Sequence, residues 1–253
     1  MDLQLNGKKA IVTGASRGIG RAVADLLARE GADIAFCARN AAQVAETEAA
    51  LKGAGVEAAG AICDVADGAA YRSWLGEAVT TLGGVDIFVA NVSAGGGMEG
   101  EASWVANFEV DVMGTVRGAE AVITPMAEGG GGSIVVISSI AALETFAAPQ
   151  AYNAMKAALL TYAKQLGQAA AAAGIRVNAV SPGPILCKGG FWEDAQNSMP
   201  EQYQAVAAAH PAGRLGTPEE VAACVAFLAS PAAGWVTGTN LIVDGGFTKR
   251  VQF

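Results

Sequence analysis

Short apolar runs alternate with longer stretches of helical spacing along most of the chain. Lys9 to Thr13 (KAIVT) is too short for a buried helix and predicts a strand. It runs into GASRGIG and then RAVADLLAREG, whose apolar positions recur with helical period. The same beat continues with a strand from Asp33 to Ala38, a helix from Ala41 to Lys52, and a strand from Val56 to Cys63. A helix from Asp67 to Leu82 follows, then a strand from Val85 to Asn91 and a long helix over roughly Trp104 to Glu128. The Ser133 to Ser138 strand precedes a helix that begins at Pro149 and ends near Gly174, and Ile175 to Val180 is the next strand. Unbroken βα alternation predicts an α/β domain with a doubly wound parallel sheet, about seven strands, right-handed crossovers and helices on both faces. There is no repeat of solenoid period and no linker that would divide the chain.

Size and composition narrow the class. The 253 residues are 52% hydrophobic and 16% charged, which suits one large folded domain over 1–253 and excludes disorder. No apolar run approaches the ~20 residues of a membrane span, and MDLQLNGKKA lacks a signal-peptide core, so a soluble, cytoplasmic protein is expected. A net charge of -8 offers no footprint for nucleic acid. Cys37, Cys63, Cys187 and Cys224 are scattered without CxxC spacing, which fits reduced packing thiols and no metal site. His210, the single histidine, precedes Pro211 far from any nucleophile-like motif, so a Ser-His-Asp triad is disfavoured.

Three stretches carry candidate chemistry. Strand, glycine loop and helix from Lys9 onward form a phosphate cradle, in which Gly14, Gly18 and Gly20 allow close backbone approach and the helix N-terminus presents free N–H groups. The GK[ST] of a P-loop is absent, which disfavours a triphosphate site. At the end of the second strand, where an acidic residue would grip a ribose 2′-hydroxyl, the chain has Arg39, with Arg17 in the glycine loop; arginine suits a 2′-phosphate, so NADP(H) is expected over NAD. Tyr152 and Lys156 lie four apart at a helix start, and an ammonium beside a phenol favours the phenolate, a group able to exchange a proton with a substrate oxygen. On spacing alone such a pair is also ordinary on a solvated helix. Ser139, at the end of the GSIVVISS run, adds a hydroxyl at a strand's carboxyl end, where open α/β sheets bind ligands.

Taken in order, Thr13-Gly14-xxx-Gly18-x-Gly20, Asp64, Ser139, Tyr152-xxx-Lys156 and Pro182-Gly183 resemble the short-chain dehydrogenase/reductase family, in the manner of its 3-oxoacyl-reductase-like or hydroxysteroid-dehydrogenase-like members. GRLGTPEEVAACVAFLAS and GTNLIVDGG resemble that family's ending, so the likeness spans the chain. The resemblance implies a Rossmann-type sheet with Tyr152 as general acid/base, Lys156 as its partner and anchor of the nicotinamide ribose, and Ser139 orienting the substrate carbonyl. It selects Ser139 over Ser138 because the family's serine lies thirteen residues before the tyrosine. It also implies cofactor contacts from Gly14, Ser16, Arg17, Gly18, Ile19 and Gly20, from Arg39, Asp64, Val65 and Asn91, and from Tyr152, Lys156, Pro182, Gly183 and Ile185.

Two departures stand out. The loop after the fourth strand reads Ala90-Asn91-Val92-Ser93, so only Asn91 aligns, ahead of the glycine-rich Ser93 to Gly97. Asp111 occupies the place of the family's fourth catalytic residue, an asparagine whose main-chain carbonyl serves a water relay ending at the lysine. The expectation is that the main chain suffices there, with the carboxylate either near Lys156 or turned elsewhere. Cys187 to His210 is where the family carries a mobile lid, and Phe191, Trp192, Met199 and Tyr203 in it hint at an apolar or cyclic substrate as much as at plain packing. The expected activity is NADP(H)-dependent interconversion of a secondary alcohol and a ketone. Enoyl reduction and a catalytically silent NADP-sensing protein are the alternatives. The small and apolar residues around the Pro149 to Ala173 helix, with the resemblance, imply a homotetramer.

Overall fold

The computed structural model describes residues 2–96, 100–146 and 149–251. Gly97 of the glycine-rich loop, and Ala147 and Ala148 between Ser139 and Tyr152, lie outside them. The first half runs β1 (Lys9–Thr13), α1 (Gly18–Arg29), β2 (Asp33–Ala38), α2 (Ala41–Gly53), β3 (Ala58–Ile62), α3 (Gly68–Leu82) and β4 (Ile87–Ala90). Then come α4 (Gly100–Asn107), a π-helical segment Phe108–Met113, α5 (Gly114–Glu128), β5 (Gly132–Ile137), a 3-10 turn Ile140–Ala142 and α6 (Ala151–Ala170). The chain finishes with β6 (Ile175–Pro182), α7 (Phe191–Ser198), α8 (Pro200–Ala209), α9 (Pro218–Ala229) and β7 (Asn240–Val243).

Among the described residues the seven strands form one sheet in the order β3-β2-β1-β4-β5-β6-β7, every neighbouring pair parallel. It is the single Rossmann-like domain expected from the alternation. The pleat divides the strand residues between two cores. Val12, Val89 and Val135 meet Val23 and Leu27 of α1 and Val225 of α9, while Ile11, Phe88 and Val136 meet Leu75 of α3, Val122 of α5 and Leu159 of α6. Both faces are covered, so apolar side chains pointing either way gain from burial, about 1.5–3 kcal/mol for each large one.

Element boundaries differ from the pattern where tertiary contacts decide them. The Val56 to Cys63 and Val85 to Asn91 strands shorten to β3 and β4, and β6 runs on to Pro182 because β7 pairs with its end. The long helix is three pieces: an i→i+5 segment interrupts it from Phe108 to Met113, a distortion frequent at functional sites. The region read as a lid contains two short helices, α7 and α8, that the periodicity did not separate.

Candidate functional site

The strand order reverses between β1 and β4, and ligands of such sheets sit outside the strands' carboxyl ends at that crevice. The glycine loop stands on one side and Asn91 on the other, and they are bonded together. The Asn91 carboxamide donates to the carbonyls of Thr13 (3.0 Å) and Gly14 (3.3 Å), and its main-chain N–H donates to the Thr13 hydroxyl (2.9 Å). Gly14 has φ +69°, and a Cβ there would lie 2.9 Å from Val92 Cγ2, so the turn requires glycine on both counts. The result is a backbone cradle at the N-terminus of α1, whose capping residue Arg17 supplies no side-chain cap. Such a cradle fits a dinucleotide's pyrophosphate. Ser16 bonds the Gln43 side chain (3.1 Å), Ile19 N–H donates to the Cys187 sulfur, and Gly20 is buried against Gly14 and Asn91.

The remaining sequence-selected positions line the same edge. Arg39 is exposed at the end of β2, and no acidic residue takes its place; the adjacent Asn40 uses its side chain to cap α2 through Gln43 N–H (3.0 Å). Arg17 is exposed as well, and its guanidinium donates to the Gly189 carbonyl, two residues before α7. Past β3, Asp64 is exposed with its carboxylate accepting from Ala66 N–H (3.0 Å), and Val65 is buried. At the end of β6 a Cβ on Gly183 would lie 2.8 Å from Asp244 Cβ, and Ile185 forms a parallel bridge with Gly216.

Lys156 is the most constrained of the candidate catalytic side chains. It is 2% exposed, its ammonium donates to the Ile137 carbonyl (2.9 Å), lies 3.0 Å from Asp111 Oδ1, and stands 5.7 Å from the centroid of the Tyr152 ring. Its own carbonyl accepts from the Ser138 hydroxyl (2.9 Å), so α6 is stitched to the end of β5 through both main chain and side chain of one residue. That bond separates the adjacent serines. Ser138 spends its proton on Lys156, whereas Ser139 Oγ accepts from Ala141 N–H (3.1 Å), a bond that leaves its own proton for another acceptor. Tyr152 is partly exposed on the first turn of α6, one helical turn before the lysine.

Asp111 sits in the π segment, 1% exposed. Its side chain is turned to Lys156, Oδ2 accepts from Ala94 N–H (2.8 Å), and its main-chain carbonyl accepts from the Thr115 hydroxyl (2.7 Å). Sequence reasoning did not find the partners Ala94, Ile137, Ser138 and Thr115. All four contacts use a main-chain atom on one side, which no residue type advertises, but Thr115 lies one helical turn beyond Asp111 and was open to inspection.

In the α7–α8 segment Phe191 and Met199 are exposed while Trp192 and Tyr203 are partly buried, with Phe191 and Trp192 in edge-to-face contact at 5.0 Å. His210 is structural: its Nδ1 is 2.8 Å from the Val206 carbonyl, and its ring stacks on Phe247 at 4.4 Å. Two thiols also meet where β2 and β3 end, a juxtaposition hidden by their separation in sequence. Interaction with Cys63, then burial, pushes the Cys37 thiol well up, while the same interaction holds Cys63 below the usual thiol range. Burial raises the Cys187 thiol as well, outweighing Arg17 and the Ile19 N–H.

A family model described as enoyl-(acyl carrier protein) reductase matches residues 14–248. Isoepoxydon dehydrogenase of Aspergillus clavatus is 39% identical over 98% of both chains. L-Sorbose reductase from Gluconobacter frateurii, solved with NADPH and L-sorbose, is 32% identical with a TM-score of 0.92, covering 99% of this chain and 100% of that one. A 7α-hydroxysteroid dehydrogenase solved with NADH and 7-oxo glycochenodeoxycholic acid gives 31% identity and a TM-score of 0.89 over 99% and 98%. With the glycine cradle and the Tyr152 and Lys156 geometry, these likenesses define the class. The chain belongs to the short-chain dehydrogenase/reductase family of oxidoreductases. Among the described residues no helix is long and apolar enough to cross a membrane.

Proposed function

We propose that the protein is an NADP(H)-dependent oxidoreductase that interconverts a secondary alcohol and a ketone. The observation that carries the reading is the buried Lys156 ammonium, fixed 5.7 Å from the Tyr152 ring beside the crevice at the switch point. Gly14, Ser16, Arg17, Gly18, Ile19 and Gly20 would hold the pyrophosphate side of the cofactor, and Asp64, Val65 and Asn91 its adenosine side and centre. Pro182, Gly183 and Ile185 would border the nicotinamide. A nicotinamide cofactor bound there supplies or accepts the hydride. Tyr152 exchanges the proton at the substrate oxygen, Lys156 stabilises the phenolate, and the Ser139 hydroxyl orients the carbonyl. Asp111 is the fourth member of the group. The alcohol/ketone chemistry agrees with the names of the dehydrogenase and reductase relatives, whereas the four-residue Tyr-Lys spacing argues against the enoyl reduction that the family model's description names.

Arg39, exposed where the adenosine ribose would lie, supports the preference for NADP(H), as does the NADPH in the sorbose reductase; the NADH in the hydroxysteroid dehydrogenase is why this preference is tested directly. Residues 187–210 act as the substrate lid, and the exposed Phe191 and Met199 favour an apolar or cyclic substrate. We place the enzyme in the cytoplasm as a homotetramer. The test is turnover of a ketone panel with NADPH and NADH, in the wild type and in Arg39→Asp. NADPH should win in the wild type, and Arg39→Asp should cut its kcat/KM by on the order of a hundredfold, about 2.7 kcal/mol. Equal kcat/KM for the two cofactors would refute the NADP assignment. NADPH binding without turnover of any carbonyl would leave a cofactor sensor.

A further inference from the structure

The expectation for Asp111 is a main-chain role alone, and the contacts around it point to its side chain. Its carbonyl already accepts the Thr115 hydroxyl at 2.7 Å. Its two carboxylate oxygens have separate partners: Oδ1 lies 3.0 Å from the Lys156 ammonium and Oδ2 accepts from Ala94 N–H at 2.8 Å. The aligned hydrogen bond of Lys156 goes to the Ile137 carbonyl at 2.9 Å, and Oδ1 has no aligned donor, so the Lys156 to Oδ1 contact is one of charge. Both side chains are almost wholly buried, at 3% and 0% exposure. A lysine ammonium on a flexible stem has many positions open to it, and a buried countercharge selects one while keeping the site neutral.

We propose that the Asp111 carboxylate is a positioning residue, which fixes the Lys156 ammonium and, through Ala94, the loop after β4 as one rigid unit. The inference rests on the oxidoreductase reading above, in which Lys156 holds the nicotinamide ribose and serves Tyr152. Residues 92–96 leave β4 at the switch point, so that loop forms the crevice wall on the β4 side. A carboxylate is the group that can do both tasks. A carboxamide has a single acceptor oxygen; if that oxygen serves Ala94, its NH2 faces the ammonium and repels it, and if it serves Lys156, the Ala94 N–H faces a donor. The π segment matters here because it carries Asp111 between the loop after β4 and α6.

A double-mutant cycle with Asp111→Asn, Lys156→Met and the pair tests this, read by NADPH binding, steady-state kinetics and amide exchange of Ala94 in the cofactor-free protein. Asp111→Asn should weaken NADPH binding several-fold, lower kcat by roughly ten- to a hundredfold as expected of a misplaced catalytic group, and speed exchange at Ala94. In the Lys156→Met background the same substitution should change NADPH binding by less than about twofold, because the residue it serves is gone. An equal factor in both backgrounds, or unchanged kinetics and exchange in Asp111→Asn, would overturn the proposal. Should Asp111→Asn fail to fold, the charge-neutral double variant decides: recovery of the fold supports the pairing, and failure overturns it. A wild type that binds NADPH and reduces no ketone would end the oxidoreductase reading while leaving the binding and exchange arms intact.

Discussion

Two glycine-to-alanine substitutions, both at helical positions with ordinary negative φ, should move stability in opposite directions. Gly20 lies in the first turn of α1, where a Cβ would come within 2.4 Å of both Asn91 Nδ2 and the Gly14 carbonyl oxygen. The first is displaceable; the second is main chain in the glycine turn. Relieving the overlap takes about 1 Å of movement, an overpacking cost of about 1–3 kcal/mol. Displacing the Asn91 carboxamide also strains its bonds to the Thr13 and Gly14 carbonyls, worth about 0.5–1.5 kcal/mol each. Alanine's helical advantage returns up to about 1 kcal/mol. Gly20→Ala should therefore lose about 2–4 kcal/mol, a Tm fall of roughly 5–15 °C at this chain length, and weaken NADPH binding because the cradle itself moves. Gly76, exposed in α3, has nothing within 4 Å of its would-be Cβ. Gly76→Ala should gain about 0.5–1 kcal/mol and raise Tm by a few degrees. Calorimetric melts of the cofactor-free proteins decide it. A Gly20→Ala melt at or above wild type, or shifts of the same sign in both variants, would refute the reasoning.

Tyr152→Phe should lower kcat by on the order of a thousandfold while NADPH binding stays within a few-fold, checked by single-turnover kinetics and fluorescence titration. Light scattering at micromolar concentration should return about four times the 25.4 kDa chain mass; Trp104, Val105 and Phe108 on the α4 side and Ala154 and Ala158 on α6 are exposed in the single chain and should be covered by partners. Asp244 anchors the C-terminal segment: burial alone would raise its carboxyl, but bonds from the Thr248 hydroxyl and N–H and from the Gly246 and Phe247 N–H groups outweigh it and hold it below its usual 3.8. A depressed folded value means the stabilisation is complete above pH ~4 and fades as pH falls through the lower value. The protection of the Gly246 and Thr248 amides, each taken relative to its intrinsic exchange rate at that pH, should therefore hold from pH 7 to 4 and fall below that, and Asp244→Asn should remove that fall.

The sheet was legible because its signals are local. Lys9 to Thr13 and Asp33 to Ala38 match the observed strands residue for residue, since a short apolar run bounded by turn residues has few other ways to bury both of its faces. Boundaries drifted where a neighbour decides them. β6 continues through Ser181 and Pro182 because β7 offers a partner, and proline at the strand's last position forfeits little pairing. Phe191 to Ala209 resisted reading because α7 and α8 are short helices separated by Met199 alone, with little of either buried beyond Ala195 and Ala207.

The catalytic candidates divide along the same physical line. Tyr152 and Lys156 share one helix, so their spacing carries their geometry. Asp111 was harder, since its meaning depends on a stripe and not on a motif. Asn107, Asp111 and Thr115 recur every four residues on the side that continues through Gly118, Ala119 and Val122, and all six are buried. Three polar side chains in a core-facing stripe have to find partners, because an unpaired buried polar group costs about 1–3 kcal/mol and a charged one more. A carboxylate in that stripe therefore implied a buried cation. Lys156 is the lysine or arginine that the chain places on the facing α6 near a strand end, so the Asp111 pairing was implicit in the hydrophobic pattern once polar breaks in that pattern are read as demands for a partner.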